Sequence, residues 1–362
     1  MSSLPIPEPA GKLSPRTSSG EAKTAADARA MRYECTENLA AIEALSTKWD
    51  ILLERSFCNR AFSCSTWFLA MCRHIPTISP MLFTAWRDRE LAAVLPMALD
   101  SETGIAGFAS PLSDYNDMIA AAEDLSSHSG LLAFALATAG DRRVLLTDVR
   151  PDSSCVRAAT ELAARDGIPV FYDQCRICLS VNLSGTFDEY VMARSQPFRK
   201  GLRRIRRQAN EHKLEVRHLD PATFKANEVG EVFLSLNLGR FGERSRFDTP
   251  ASRGIVDDLL PALFLQRRMD VFVLIEAGRV VSLDLCMRGC KTLCTWNGGF
   301  HMEAAQWSPG RLLMAAEIEH AFAAGFEEFD MLRGTHPYKT SWANGSRKTG
   351  HLHFGEGKTT EV

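Results

Sequence analysis

Helical and strand-like hydrophobic periodicities alternate along the chain. Residues 38–56 place apolar side chains three or four positions apart, which predicts an amphipathic helix, whereas residues 81–100 form two apolar runs around a charged turn, which predicts a β-hairpin. This alternation indicates a mixed α/β fold. Further helices are predicted at 64–74, 126–139, 153–166, 186–194, 197–211, 221–240, 250–267 and 309–325. Further strands are predicted at 31–37, 143–149, 168–181, 270–278, 279–289, 291–300 and 326–332.

The order of elements in the second half indicates where a ligand would bind. Three consecutive strands lead into the helix at 309–325, which has Pro309 in its first turn and Gly325 just past its end. Another strand follows directly. The end of the third strand therefore faces the start of the helix, and ligands bind at such positions in open α/β sheets.

The composition sets limits on partners and location. A chain of 362 residues is long enough for two domains of about 150 residues each. Its net charge of −2 gives no global attraction to nucleic acid or to anionic membranes. Residues 1–30 are rich in Ser, Pro, Ala and Gly and lack an apolar run, which predicts a disordered tail without a secretory signal. No segment is apolar over the length of a bilayer, so a cytoplasmic protein is expected.

The ten cysteines are scattered through apolar segments. Cys175 and Cys178 form a CxxC without a second pair at zinc-ribbon spacing, and a glycine interrupts the series Cys286, Cys290 and Cys294. Buried thiols are therefore predicted rather than a metal or redox site, and no metal is expected.

The junction between the third strand and the helix has the residues of an anion site. The glycines at 298–299 would let the strand bulge or another backbone approach it. Ser308 is a candidate N-cap, after which Gly310, Arg311 and Leu312 would offer free amides. These amides, the helix dipole and the charge of Arg311 would hold a pyrophosphate. The alternative is that Ser-Pro-Gly simply starts a helix.

An aspartate lies inside the last apolar strand. Asp330 is followed within a dozen positions by Arg333, His336, Tyr338 and Lys339. Aspartate is depleted in strand interiors because its side chain competes for backbone hydrogen bonds, so a specific role is expected. Either Asp330 acts chemically, or it pairs with Arg333 or bonds the amides of the following turn.

A strongly basic helix is predicted at 197–211. Six of the nine residues from Arg199 to Arg207 are basic, and apolar residues recur at helical spacing among them. The helix should pack this apolar stripe on the protein and expose its arginines. That face is either simply solvated, or it binds the phosphates of a nucleotide-sugar or lipid-linked acceptor, tRNA or an acidic polysaccharide.

Several short motifs in a fixed order resemble a known family. They are "SPGRLL", "FDMLRG" and "YKTSW", preceded by "FRKGLRRIRRQ" and "PLSDYNDMI". Together they resemble the acetyltransferase domain of the CelD/BcsL-like family, a branch of the GNAT (Gcn5-related N-acetyltransferase) superfamily akin to FemAB proteins. The resemblance implies two tandem GNAT-like domains, at 31–185 and 186–362, each a mixed, mostly antiparallel sheet flanked by helices.

The resemblance also implies an activity. An acyl group would pass from acyl-CoA to an amine or hydroxyl of a small or glycan-type acceptor, in polysaccharide, cellulose or cell-envelope biosynthesis. The residues expected to bind acyl-CoA are Asn297, Gly299, Ser308, Gly310, Arg311 and Leu312. The residues expected to bind the acceptor are Arg333, His336, Arg203 and Arg207.

Acyl transfer from a thioester needs a base, a donor for the carbonyl oxygen and an acid for the leaving thiolate. Asp330 is the predicted base, Tyr338 the predicted acid, and Lys339 a group that would hold an anionic acceptor. Alternatively, Tyr338 is a half-buried ring whose hydroxyl bonds a backbone carbonyl, and Lys339 is simply solvated. The strand near 297–300 would supply a backbone amide to the oxygen. His301 and Glu303 are second choices for the base.

Two other functions stay open. The loop at 308–312 has one glycine where the GNAT signature has two or three, so aminoacyl-tRNA is an alternative, less favoured donor, as in FemAB relatives. The chain could instead be a non-catalytic binding or assembly factor for polysaccharide synthesis. The acceptor, the acyl chain and the oligomeric state do not follow from the sequence.

Overall fold

A computed structural model describes residues 31–56, 61–109, 112–121 and 125–355. The tail predicted at 1–30 lies outside these ranges. No helix within them combines the length and the apolar character needed to cross a membrane.

Strands and helices alternate largely as the periodicity predicts. The strands are β1 (Met31–Thr36), β2 (Ile78–Arg87), β3 (Glu90–Asp100), β4 (Ala106–Phe108), β5 (Ile119–Ala120), β6 (Val144–Val149), β7 (Val170–Asn182), β8 (Glu215–His218), β9 (Met269–Glu276), β10 (Arg279–Arg288), β11 (Thr292–Phe300), β12 (Glu328–Arg333) and β13 (Gly345–Phe354). The helices are α1 (Leu39–Ala44), α2 (Ser46–Arg55), α3 (Ser65–His74), α4 (Leu125–Ala139), α5 (Ser154–Asp166), α6 (Phe187–Met192), α7 (Gln196–Glu211), α8 (Ala226–Phe241), α9 (Pro250–Leu265), α10 (Pro309–Ala323) and α11 (Pro337–Trp342). The predicted helix at 38–56 is two helices, and β4, β5, β8, β13 and α11 have no counterpart in the sequence prediction.

The described strands form one large sheet. Its order is β1-β2-β3-β4-β6-β13-β7-β12-β11-β10-β9-β8, with β5 beside β3. The neighbouring strands are antiparallel except for the pairs β4–β6 and β11–β12, which are parallel. The predicted fold class, a mixed α/β fold with a mostly antiparallel sheet flanked by helices, is therefore confirmed.

Strand β13 joins the two halves of the sheet. It comes from the segment predicted as the second domain, yet it pairs with β6 on one side and with β7 on the other. The hydrogen-bonded ladder therefore runs without a break from β1 to β8.

The helices cover the sheet through three buried hydrophobic clusters. Helices α1 to α3, α8 and α9 pack around Trp296, whose indole contacts Trp67, Phe233 and Phe247 edge-on or stacked. Helices α6, α7 and α10 pack around Phe329 on β12. Helices α4 and α5 cover the strands of the first half.

The parallel pair β11–β12 separates after three residues. Thr292, Leu293 and Cys294 pair with the first half of β12, whereas β11 itself continues to Phe300. A bulge at Trp296 adds to the divergence, because Thr295 pairs with Cys286 while Asn297 pairs with Leu285, leaving Trp296 unpaired against β10. A gap therefore opens in the sheet beside the second half of β11.

Helix α8 closes one side of this gap by packing directly on the backbone of β11. A Cβ added to Gly299 would lie 2.5 Å from the amide nitrogen of Asn237 and 2.5 Å from the carbonyl carbon of Leu236. The Asn237 amide side chain donates to the Gly298 carbonyl at 3.0 Å, which satisfies a group in the diverging strand. Glycine at 299 is therefore a requirement of the close contact between α8 and β11.

Gly299→Ala is expected to lower the free energy of unfolding by about 1–3 kcal/mol, because the new methyl group forces α8 away from β11. Urea denaturation measures this change. The matched control is Gly239→Ala in α8, where an added Cβ would have no neighbouring atom within 4 Å.

This control adds the same methyl group without a clash, and helix propensity favours alanine over glycine at that position. Gly239→Ala should therefore be at least as stable as the parent. Equal stability of the two variants would contradict the close contact between α8 and β11.

Candidate functional site

A cavity of about 460 Å³ lies where β11 leaves β12. Its walls come from β10 and β11, the last turn of α8, the first turn of α10 and the start of α11. It is lined by Arg240, Phe241, Asp284, Thr295, Trp296, Asn297, Gly298, Phe300, Ala305, Ser308, Pro309, Gly310, Arg311, Met314, Tyr338 and Lys339. The cavity thus occupies the junction between the third strand and the following helix.

The first turn of α10 differs from the predicted set of three free amides. Ser308 occupies the N-cap position in a left-handed conformation (φ 53°, ψ 53°), and its side chain caps none of the helix amides. Its carbonyl accepts from the amides of Arg311 (2.9 Å) and Leu312 (3.3 Å). The Gly310 amide has no such partner among the described residues, so one amide rather than three is available to an anion.

Arg311 supplies a positive charge at the same helix start. Its guanidinium lies 6.0 Å from the ring centre of Phe198 on α7. A Cβ on Gly201 would come within 3.3 Å of this guanidinium, so the glycine makes room for the arginine to cross α7. Arg311 forms no ion pair within the described part of the chain, and the dipole of α10 adds to its attraction for an anion.

Two carboxyl groups lie side by side at the base of the cavity. Asp284 on β10 lines the cavity, and the fully buried Glu317 on α10 is its neighbour. Burial raises the pKa of Asp284 to about 6. Burial and the charge of Asp284 raise the pKa of Glu317 well above its ordinary value. Both carboxyl groups are therefore more readily protonated than exposed carboxyls would be.

Tyr338 and Lys339 form the wall contributed by α11. Tyr338 is half exposed, and burial together with the nearby carboxyls raises its pKa to about 12, so its phenol stays protonated at neutral pH. The Lys339 ammonium donates to the carbonyls of Met331 (2.6 Å) and Arg333 (2.7 Å). These bonds tie α11 to the end of β12.

Asp330 does not line the cavity. It is fully buried, and it accepts hydrogen bonds from the Tyr115 hydroxyl (2.8 and 2.9 Å), the Leu332 amide (2.7 Å) and the Arg347 guanidinium. Burial raises its pKa, and the charge of Arg347 opposes that rise. The geometry favours the alternative role, in which Asp330 bonds the amide of the following turn, over the predicted role of catalytic base. Its partners come from the first half of the chain and from β13.

The residues predicted to bind an acceptor are also distributed outside the cavity. Arg333 pairs with Asp114 and Asp148 of the first half. His336 is exposed, with its ring stacked beside that of Tyr338 at 6.2 Å. Arg203 and Arg207 are exposed on the face of α7 that points away from its buried stripe.

The residues predicted to bind acyl-CoA lie closer together. Asn297, Ser308, Gly310 and Arg311 all line the cavity. Gly299 contacts α8 instead, as described above, and Leu312 is buried in the hydrophobic cluster beneath α10. The second-choice bases His301 and Glu303 do not line the cavity; His301 contacts the Arg279 guanidinium at 3.0 Å.

One group of side chains outside the cavity has metal-ligating atoms close together. His218, Asp270 and His320 place one such atom each within 4.8 Å of one another. However, Arg288 already contacts both carboxylate oxygens of Asp270 at 2.8 Å. A divalent cation would have to displace this guanidinium, so the group fits an ion-paired cluster better than a metal centre.

Residues 196–340 match the family model of the acetyltransferase (GNAT) domain. Every residue that lines the cavity falls within this matched segment. The divergence of β11 from β12, the bulge and the start of α10 therefore all lie within the GNAT match. No curated protein matches the chain.

Solved structures share the fold over both halves of the chain. FemX aligns with a TM-score of 0.60 at 14% identity, over 85% of this chain and 95% of FemX. The C-terminal domain (DUF2156) of a putative lysylphosphatidylglycerol synthetase from Agrobacterium fabrum aligns at 0.56 and 13%, over 88% and 93% of the two chains. A tandem GNAT protein from the clavulanic acid biosynthesis pathway aligns at 0.50 and 12%, over 90% and 98%. At these identities the likeness concerns the fold, which is GNAT-like and resembles a tandem GNAT protein.

Three charged residues at the cavity or beneath it are absent from the sequence prediction: Arg240, Asp284 and Glu317. Asp284 lies inside an apolar strand, which is the same signal that singles out Asp330. Glu317 lies one turn from Leu313 and Ala321 on the buried stripe of α10, where a carboxylate is unusual. Both signals are present in the sequence. Arg240 has no such signal, because it ends a helix as many arginines do.

Asp330→Asn is expected to lower the free energy of unfolding by roughly 3 kcal/mol, because the amide nitrogen would face the Arg347 guanidinium inside a buried ion pair. Urea denaturation measures the change. Asp141→Asn is the control, since Asp141 is exposed and the same substitution there should stay within about 0.5 kcal/mol. If the Asp330→Asn variant were as stable as the parent, a structural role for Asp330 would be contradicted.

Proposed function

We propose that the protein is an acyltransferase that moves an acyl group from acyl-CoA to the amine of an acceptor bound in the cavity. The observation that carries the proposal is Asp284, a carboxyl group of raised pKa that lines the cavity within the GNAT segment. A carboxylate with a pKa of about 6 is ionised near neutral pH and is still basic enough to accept a proton from an ammonium group. Asp284 is the proposed base in place of Asp330.

The start of α10 is suited to the donor. The pyrophosphate of acyl-CoA would lie against the Gly310 amide and the Arg311 guanidinium, at the positive end of the helix dipole. The thioester would then extend along the diverging part of β11. The bulge at Trp296 turns the backbone of this strand out of its ladder with β10, so an amide here would bond to the thioester oxygen.

The transfer step uses the carboxyl pair and Tyr338. Asp284 takes a proton from the acceptor ammonium, and the free amine attacks the thioester carbonyl carbon. The carbon–nitrogen bond forms, the carbon–sulfur bond breaks, and the thiolate takes a proton from the Tyr338 hydroxyl. The nitrogen loses its second proton to solvent as the carbon–sulfur bond breaks, and the proton on Asp284 returns to Tyr338 through solvent, so one proton is released overall. The products are the amide and free CoA thiol.

An aminoacyl-tRNA donor is the second candidate, and the exposed face of α7 supports it. Lys200, Arg203 and Arg204 form no ion pairs among the described residues, and both arginines are exposed. A polyanion would contact such a face, and its affinity would fall steeply with salt. An acceptor from polysaccharide or cell-envelope biosynthesis rests on the sequence resemblance to CelD/BcsL-like proteins.

Acetyl-CoA is expected to raise the melting temperature of the protein, and Gly310→Pro combined with Arg311→Glu should abolish this effect. At a free concentration of 100 times its dissociation constant, the ligand would stabilise the fold by about 2.7 kcal/mol. Arg89→Glu is the control, because Arg89 is exposed in the β2–β3 turn and carries the same charge change. An unchanged shift in the double variant would place the donor elsewhere, and no shift in the parent together with salt-dependent tRNA binding would favour the second candidate.

Asp284→Asn is expected to lose about 10²- to 10⁴-fold in turnover, measured as thiol released from acetyl-CoA with an amine acceptor. In the parent, kcat/KM should rise with pH up to about 6, where Asp284 ionises, and should then stay level because the pKa of Tyr338 is about 12. Glu317→Gln is the comparison, since it changes the neighbouring buried carboxyl but leaves Asp284 in the cavity wall, and it should keep most of the turnover. A fully active Asp284→Asn variant would exclude this residue as the base.

Asp284→Asn is also expected to be more stable than the parent protein above pH 6. Folding raises the pKa of Asp284, so the folded state favours the protonated carboxyl. That contribution to stability is fully present below the unfolded pKa of about 4, and it is lost as the pH rises through about 6. Asparagine carries no charge and avoids this loss. Melting temperatures of both proteins at pH 5 and pH 8 measure the difference, and a variant that gains no stability at the higher pH would contradict it.

A further inference from the structure

We propose that the acceptor is a zwitterionic amine of the amino-acid type, whose carboxylate binds Arg240 while its ammonium group faces Asp284. This inference rests on the proposed function and specifies the substrate class of the same cavity. Its basis is a cation that the described part of the chain leaves without a carboxylate partner.

Arg240 is held at the cavity by aromatic rings. It lies in the last turn of α8, and its guanidinium carbon is 4.1 Å from the ring centre of Phe300 and 4.9 Å from that of Phe241. Both rings line the cavity with it. Cation–π contact with the two rings positions the guanidinium at the cavity wall without occupying its N–H groups.

The charge of Arg240 is poorly compensated by the protein. Arg240 lines the cavity and is exposed to solvent; partial desolvation lowers the pKa of its guanidinium, although Asp284 and Tyr338 act in the opposite direction. Arg240 forms no ion pair within the described ranges of the chain. An anion that entered the cavity would therefore meet a guanidinium free to make a charge-assisted, bidentate contact.

Arg240 and Asp284 line one cavity with opposite charges that do not touch. Each affects the pKa of the other, yet they form no direct ion pair. A ligand that carried both an ammonium and a carboxylate group would match both charges in a single orientation. A simple amine would leave Arg240 unpaired, and a diamine would be repelled by it.

The donor does not account for Arg240. The pyrophosphate site proposed above lies at the start of α10, where Arg311 and the Gly310 amide are available. Arg240 belongs to α8, which packs on the backbone of β11 through Gly299. The two arginines therefore serve two separate anionic groups, one in the donor and one in the acceptor.

Pairs of acceptors that differ in one charge test the inference. Free L-amino acids and their C-terminal amides are supplied with acetyl-CoA, and thiol release is measured. At least one amino acid is expected to exceed its amide at least tenfold in kcat/KM. Arg240→Gln should raise the KM for that amino acid about 10- to 100-fold and leave the KM for the amide unchanged. Arg240→Lys should keep part of the preference, and Arg240→Glu should reverse it in favour of the amide.

Two measurements separate this inference from the choice of donor. The shift in melting temperature with acetyl-CoA should be the same in the parent, in Arg240→Gln and in the surface control Arg89→Gln. Loss of that shift in Arg240→Gln would assign Arg240 to the donor and overturn the inference. If acetyl-CoA neither binds nor releases thiol, the proposed donor fails, and amino-acid binding alone still decides the inference. The inference is supported if amino acids raise the melting temperature, their amides do not, and the Arg240→Gln variant no longer shows this effect. Equal effects of amino acids and amides, or no effect of either, overturn it.

Discussion

The separation of two parallel strands is the constraint on which the site depends. Strands β11 and β12 share three paired residues, and beyond Cys294 and Asp330 their backbones part. Backbone groups that leave a ladder inside a protein need other partners, or the gap would close. Here Asn237 bonds the Gly298 carbonyl on one side of the gap, and Lys339 bonds two carbonyls at the end of β12 on the other. The cavity exists because the backbone groups on each side of the gap have hydrogen-bond partners other than the opposite strand.

The first half of the chain contributes to this arrangement although the cavity lies in the second. The Trp296 indole at the bulge donates to the Leu112 carbonyl at 2.9 Å, and the Tyr115 hydroxyl donates to Asp330. Arg333, just beyond Asp330, pairs with Asp114 and Asp148. The segment 112–118 thus fixes both the bulged strand and the last residues of β12. A buried ion-pair network of this kind specifies one arrangement of the strands more than it adds stability.

Sequence periodicity predicts most of this fold, because helices and hairpins depend on the spacing of nearby residues. Strand β13 shows the limit: its sequence, "GSRKTGHLHF", is polar, and its place between β6 and β7 depends on pairings with residues far away in the chain. The junction of β11 and α10 is predictable from the sequence, because Pro309 and the glycine pair mark it. The free amides at this junction are not predictable, because they depend on the left-handed conformation of Ser308.

The two aspartates in apolar strands show why the site residues were harder to predict than the fold. Asp330 and Asp284 give the same local signal, yet one accepts from Arg347 and Tyr115, whereas the other lies beside the carboxyl Glu317. A buried carboxylate surrounded by donors is held in place by its charge, and it has little capacity to exchange a proton with a ligand. Asp284 has no such set of donors, so desolvation raises its pKa to about 6, where it can exchange a proton with a ligand. Which aspartate can act as a base therefore depends on the groups that surround its side chain. Those groups are brought together by the long-range packing of α10 and β13, which a local sequence pattern does not predict.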